Sequence, residues 1–245
     1  MSDSAGGQEN KLNITIKSNL NIIEENIENV CRRCGRKRHE IRLMGISKFH
    51  PVQTVETAFE AGLRLFGESR LQEGKEKFLS FWEKHPRDGS LELHLVGSLQ
   101  RNKAKAAAAF FDCIQSVDRE PLIEELGALT KERENPLMVM LEYHTAEETK
   151  SGFIGHDELF SAAEKLLAFP GLRPAGLMTM APFTNDESAI RTSFRKLAEA
   201  RAELEKRFAS ANWSSLSMGM TSDFEIAIEE GSTLIRIGSA IFGEL

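Results

Sequence analysis

Three cysteines in 245 residues are too few for a disulfide framework, and 18 glycines with 7 prolines exclude a collagen-like or mucin-like chain. No stretch approaches the roughly 18 apolar residues that a membrane span requires. The opening segment, Met1 to Asn10, is polar and lacks both the basic start and the apolar centre of a secretion signal, so a cytoplasmic location is the expectation. With 37 acidic residues against 31 basic ones the formal charge is -6, which disfavours broad adsorption to nucleic acid or anionic membrane and leaves room for a local phosphate pocket. Cys31 and Cys34 form a C-x-x-C, but Cys113 is the one remaining thiol. A four-ligand zinc site needs a second pair or suitably spaced histidines, so no metal is expected. The basic run 32–38 reads as the solvated C-terminal end of a helix rather than a nucleic-acid patch.

What is present is a regular alternation. Leu12, Ile16, Leu20, Ile23, Ile27 and Val30 recur at steps of three and four, one stripe of a long amphipathic helix that Gly35 ends. Beyond it, short apolar runs suited to buried strands fall at 41–47, 63–66, 91–96, 112–117, 137–143, 172–178, 214–216 and 233–237. After each comes a segment with helical spacing: to 62, 69–84, 103–109, to 133, 157–168, 187–208, 222–230 and 239–243. Eight strand-then-helix units without a linker predict one (β/α)8 TIM barrel over residues 11–245, preceded by a disordered start over 1–10. The first helix is then an addition that covers the barrel wall, and a monomer is expected.

In such a barrel the functional residues sit at the C-terminal ends of the strands, with phosphate commonly held after strands seven and eight. Strand seven leads into Ser217, Met218, Gly219, Met220 and Thr221, and Ser222 with Glu225 has the spacing of a capping box. Strand eight leads into Arg236, Ile237, Gly238 and Ser239, again opening a helix. Small residues, hydroxyls and helix N-termini there suit a phosphate. Lys48 ends strand one, where desolvation on the barrel side is expected to lower its pKa and suit it to form an imine; the plainer alternative is a surface lysine at a strand end. An aldehyde-bearing phosphate ester joining Lys48 to those loops matches pyridoxal 5'-phosphate, and a phosphorylated sugar is the competing substrate class.

Several segments carry a resemblance: Gly45-Ile46-Ser47-Lys48, Phe66-Gly67-Glu68, the run 94–103 (HLVGSLQRNK), Ser116-Val117-Asp118-Arg119, Lys150-Ser151-Gly152, Gly176-Leu177-Met178-Thr179-Met180, 216–221 and 236–243. In this order they resemble the pyridoxal phosphate homeostasis protein family, similar in turn to the barrel domain of alanine racemase. The resemblance implies that Lys48 holds the cofactor as an aldimine, that the 217–221 loop with Gly238 and Ser239 holds its phosphate, and that Arg236 lies near the pyridine nitrogen. It also implies a carrier in intracellular cofactor homeostasis, exchanging with apo enzymes and amino acids, without appreciable turnover.

The sequence departs from the family pattern where Ser69 replaces an amide that faces the cofactor, where His50 replaces a second lysine, and where Tyr143 replaces an asparagine on strand five. The competing class is an amino-acid racemase. Such an enzyme needs a second domain bearing a catalytic tyrosine, not expected in a chain ending at Leu245, and Tyr143, the single tyrosine, is expected to be a strand-end core residue. A guanidinium at Arg236 has only donors, keeps the pyridine nitrogen unprotonated, and weakens the ring as an electron sink.

Overall fold

The computed structural model describes residues 3–146 and 151–243, with side chains described from residue 15 onward. A long helix α1 (Asp3–Cys34) precedes eight alternating units: β1 (Arg42–Ile46), α2 (Val52–Glu60), β2 (Leu65–Glu68), α3 (Leu71–Lys84), β3 (Glu92–Leu95), α4 (Ala104–Phe110), β4 (Cys113–Val117) and α5 (Glu120–Thr130). They continue as β5 (Leu137–Glu142), α6 (Gly155–Leu167), β6 (Leu172–Met178), α7 (Glu187–Arg207), β7 (Ser215–Ser217), α8 (Phe224–Glu229), β8 (Leu234–Ile237) and α9 (Ser239–Phe242). The strands close in sequence order, and β8 pairs in parallel with β1, Met44 lying beside Arg236. This is the predicted (β/α)8 barrel.

Pleating divides the core in two. Outward-facing strand residues pack with the helices in one large apolar cluster that includes Phe66, Leu93, Ile114 and Leu216. The smaller inner cluster is Met44, Leu65, Cys113, Met140, Ala175, Met178 and Leu234. Strand register places His94 beside Cys113, Ser217 beside Met178, and Arg236 beside Met44, so polar side chains share the barrel interior with methionine and leucine.

The stripe read from the sequence is the buried face of α1: Ile16 to Val30 at the predicted spacing are almost wholly inaccessible, and the helix packs on α2, α8 and α9. Its backbone begins at Asp3, so residues 3–10, expected to be disordered, continue the helix. Extending an existing helix fixes one residue per added hydrogen bond, far less costly than nucleating one, which lets a polar segment follow the packed turns. Gly35, with φ +75°, stops it. The basic run is only partly the solvated end expected: Arg33 pairs with Glu225 and Glu229 of α8, and Arg36 donates to the carbonyls of Ile228 and Ser232. Cys31 is buried, Cys34 half-buried, and no metal-binding cluster of side chains occurs among the described residues. None of the described helices is long and apolar enough to cross a membrane.

At the floor of the barrel Glu92 lies between His94 and Arg42. Burial works to raise its carboxyl, but the hydrogen bond from His94 and the pair with Arg42 override it and hold the group from 4.5 down to about 2. A carboxylate depressed in this way adds stability above its unfolded value and loses it as pH falls through the folded one. Glu92→Gln is therefore expected to be less stable than the parent at neutral pH, with the difference shrinking between pH 4.5 and about 2 in urea titrations. A difference that does not change with pH would contradict this assignment.

Candidate functional site

A cavity of about 600 Å³ opens at the C-terminal ends of the strands. From β1 come Ile46 and Lys48, from the turn after β2 Ser69, and from the turn after β3 Gly97 and Ser98. Glu142 ends β5 and Ser151 follows it, and Met178, Met180 and Phe183 belong to the end of β6 and its loop. Met220, Thr221 and Ser222 follow β7, while Arg236, Gly238 and Ser239 end β8. One side is thus lined with hydroxyls and glycine, another with methionine and Phe183.

Backbone contacts shape two of these walls. A Cβ on Gly97 would stand 2.0 Å from the carbonyl oxygen of Ser69, so glycine lets the loops after β2 and β3 touch and brings Ser69 and Ser98 together. Gly219 has φ +97°, and a Cβ there would meet Ala227 Cβ at 2.6 Å, which seats the start of the β7 loop against α8. The two phosphate-type loops converge: Ser239 Oγ donates to Thr221 Oγ1 at 3.4 Å. Helices α8 and α9 span only 6 and 4 residues, so donors on these loops are local hydroxyl and N–H groups more than long helix dipoles.

The sequence-predicted residues divide here. Lys48, Ser69, Thr221, Arg236, Gly238 and Ser239 line the cavity; Ser217, Met218 and Gly219 do not. The reason is that the barrel wall stays paired three residues past the expected strand end at 216, Met218 N–H donating to Leu234 O and Arg236 N–H to Gly219 O. Ser217 therefore points inward and Met218 outward into the apolar core, both fully buried. Nor does Ser222 cap α8: Asp223 is the N-cap, and its carboxylate accepts from Met220 N–H at 2.6 Å. Lys48 is exposed at the mouth rather than desolvated, because the barrel side of β1 ends at Ile46 and the chain turns outward.

Arg236 is the charged centre of the cavity. It is 5% exposed and donates to Ser217 O (2.6 Å), Ser217 Oγ (2.7 Å) and Thr179 O (2.8 Å). Burial lowers its pKa to about 10 although the charges of Asp223 and Glu142 oppose the shift, so it stays a cation near neutrality. Glu142 accepts from Ser151 Oγ at 2.6 Å. Its burial pushes the carboxyl up, against the pull of Ser151 and Arg236. Sequence reading missed Glu142, gave Ser151 no role and took Ser222 only as a cap, while Met220 belonged to the predicted 217–221 loop; for Glu142 the signal was an acidic residue closing an otherwise apolar strand. Tyr143 is 6% exposed in the outer core and does not line the cavity, as the core reading expected. Lys150 lies outside the described residues.

Behind the Lys48 turn sits a buried ionic group. Phe49 has φ +67°, rare for a bulky side chain, and its N–H donates to the Glu73 carboxylate. Lys77 donates to Ser47 O and to Glu68 Oε1 (2.7 Å), and Ser47 Oγ donates to the same Glu68 oxygen at 2.7 Å. Burial raises the Glu68 carboxyl, countered by the charge and hydrogen bonds of Lys77 and Ser47. The turn that presents Lys48 is thus tied at Ser47 and Phe49 to α3.

The family model for the alanine racemase N-terminal domain matches residues 18–245. The pyridoxal phosphate homeostasis protein of Vibrio cholerae is 37% identical over 230 residues, 94% of this chain and 96% of that protein. The structure of PipY from Synechococcus elongatus with PLP bound superposes with a TM-score of 0.78 at 31% identity, covering 89% of this chain and 100% of the other. An alanine racemase of Clostridium difficile is similar in fold, with a TM-score of 0.75 at 12% identity, over 94% of this chain and 57% of the racemase.

Removing one member of a buried ion pair costs about 3–5 kcal/mol, whereas replacing both by apolar groups is often close to neutral. Lys77→Met is expected to lose stability on that scale in urea denaturation, and adding Glu68→Leu to recover most of it. Equal losses in the single and double variants would show that the pair does not support the turn.

Proposed function

This chain belongs to the pyridoxal phosphate homeostasis protein family, and we propose that it binds pyridoxal 5'-phosphate covalently through Lys48 and passes it on to apo enzymes in the cytoplasm without appreciable turnover of its own. The observation that carries the reading is the joining, in one cavity, of a primary amine at Lys48, the hydroxyls of Thr221, Ser222 and Ser239 with the open backbone at Gly238, and a buried guanidinium at Arg236. These residues fit the group: an amine for its aldehyde, neutral donors for its phosphate, and a fixed cation facing the same space. A Cβ on Gly238 would come no nearer than 3.4 Å to its neighbours, so the bare glycine there leaves backbone N–H groups accessible without a tight packing demand on that site.

The bound cofactor supplies an electrophilic carbon. Lys48 would supply the primary amine that holds this carbon, and its place on an exposed turn would leave the linkage open to exchange with another free amine. Thr221, Ser222 and Ser239 would hold the phosphate by charge-assisted hydrogen bonds, the stronger kind. Arg236 offers only N–H donors and retains its proton, so a ring nitrogen placed against it would receive a hydrogen bond and no proton. That limits carbanion stabilisation. Tyr143, buried away from the cavity, is not placed to move a proton there. Ser69, in place of the family's amide, offers a hydroxyl at the wall beside the ring. Amino acids and apo enzymes are the exchange partners that follow.

Borohydride reduction of the loaded protein followed by peptide mapping is expected to place the label on Lys48, and Lys48→Ala to lose both the label and the absorbance of the attached cofactor. Retention of a reducible linkage with unchanged occupancy in Lys48→Ala would overturn the reading.

A further inference from the structure

A continuous line of hydrogen bonds crosses the barrel interior beneath the cavity. Arg236 donates to Ser217 Oγ at 2.7 Å, and Ser217 Oγ donates to Gln115 Oε1 at 2.6 Å. Gln115 Nε2 lies 2.7 Å from His94 Nδ1, and His94 Nε2 lies 2.6 Å from Glu92 Oε1. Ser217, Gln115 and His94 are at most 1% exposed.

One set of proton positions satisfies every atom. The guanidinium has donors only, so Ser217 Oγ accepts from it and turns its own hydrogen toward Gln115. The Gln115 oxygen is then the acceptor and its NH2 the donor, which makes His94 Nδ1 an acceptor and leaves the ring proton on Nε2, facing the Glu92 carboxylate. All donors point the same way, from a cation at the mouth to an anion at the floor. Such polar groups are expensive inside a barrel otherwise filled by methionine and leucine unless all are paired, and here all are. Three of the five guanidinium N–H groups are committed to Ser217 and Thr179, which leaves two uncommitted on a residue that lines the cavity.

We propose that Gln115 and His94 are positioning residues which, acting through Ser217, fix the plane of the Arg236 guanidinium so that its uncommitted N–H groups meet the ring nitrogen of bound pyridoxal 5'-phosphate. The inference rests on the reading that the cofactor occupies this cavity. It assigns Ser217, expected from sequence to touch the phosphate, to the other end of the ring.

The test compares pyridoxal 5'-phosphate with its 1-deaza analogue, in which the ring nitrogen is replaced by carbon, on the full-length wild type, Gln115→Leu and Ser217→Ala. The wild type is expected to prefer the natural cofactor. Both variants are expected to lose about tenfold in affinity for it, a loss of about 1.4 kcal/mol, while binding of the analogue changes little and the absorption band of the natural cofactor shifts. Should Gln115→Leu fail to fold, Ser217→Ala, which removes a single oxygen, decides the matter. An unchanged ratio of the two affinities, whether both fall together or neither does, overturns the positioning role. Borohydride mapping on the same samples separates the two readings: label at Lys48 with an unchanged ratio defeats only the positioning role, whereas no label in the wild type defeats the cavity assignment and this inference with it.

Discussion

The upper half of this barrel is organised around one buried guanidinium. An ion of that size taken out of water without partners costs several kcal/mol, so the chain must surround Arg236 with acceptors and opposing charge. The carbonyls of Ser217 and Thr179 and the Ser217 hydroxyl supply the first, and Asp223 and Glu142 the second. Meeting that demand decides much else. Inward positions on β4 and β7 are polar, Ser217 is turned away from the cavity, and the wall between β7 and β8 stays paired as far as Gly219 before the loop opens.

The same demand separates holding from transforming. On the proposed placement, a fixed donor beside the pyridine nitrogen would retain the cofactor without drawing electrons into its ring. Lys48, by contrast, stands on an exposed turn whose rigidity comes from outside the barrel, through Lys77, Glu68 and Glu73 on β2 and α3. The cavity is thus rigid below, where the ring would rest, and open to water and amines at Lys48, the proposed point of attachment. This combination suits exchange.

How much of this was legible in the sequence depended on whether the signal was local. Strand and helix periods are local, and the eight units and the apolar stripe of α1 fell where spacing placed them. Lys48 and the 238–239 turn were legible as cavity-lining positions because strand ends are punctuated by a change from apolar to polar residues, and Arg236 because a charge interrupts the apolar run of β8. Ser217 was read as the start of a loop because it stands two residues before Gly219, whereas pairing across β7 and β8 keeps it in the wall. Residues 3–10 were misread because composition does not register the low cost of extending a helix already packed. Gln115, His94 and Glu92 are far apart in sequence, and only barrel closure lines them up. Glu142 and Ser151 meet for the same kind of reason, across the turn after β5.

The central claim is that a cavity built around a protonated, donor-only Arg236 holds pyridoxal 5'-phosphate exchangeably and does not labilise the α-proton of an amine bound to it. The most direct measurement is proton NMR of L-amino acids in D2O with the loaded protein, following loss of the α-proton signal over hours. The account predicts a reversible change in the cofactor's absorbance as amino acid is added, with the α-proton signal retained. Steady α-deuteration at enzyme-like rates would contradict it.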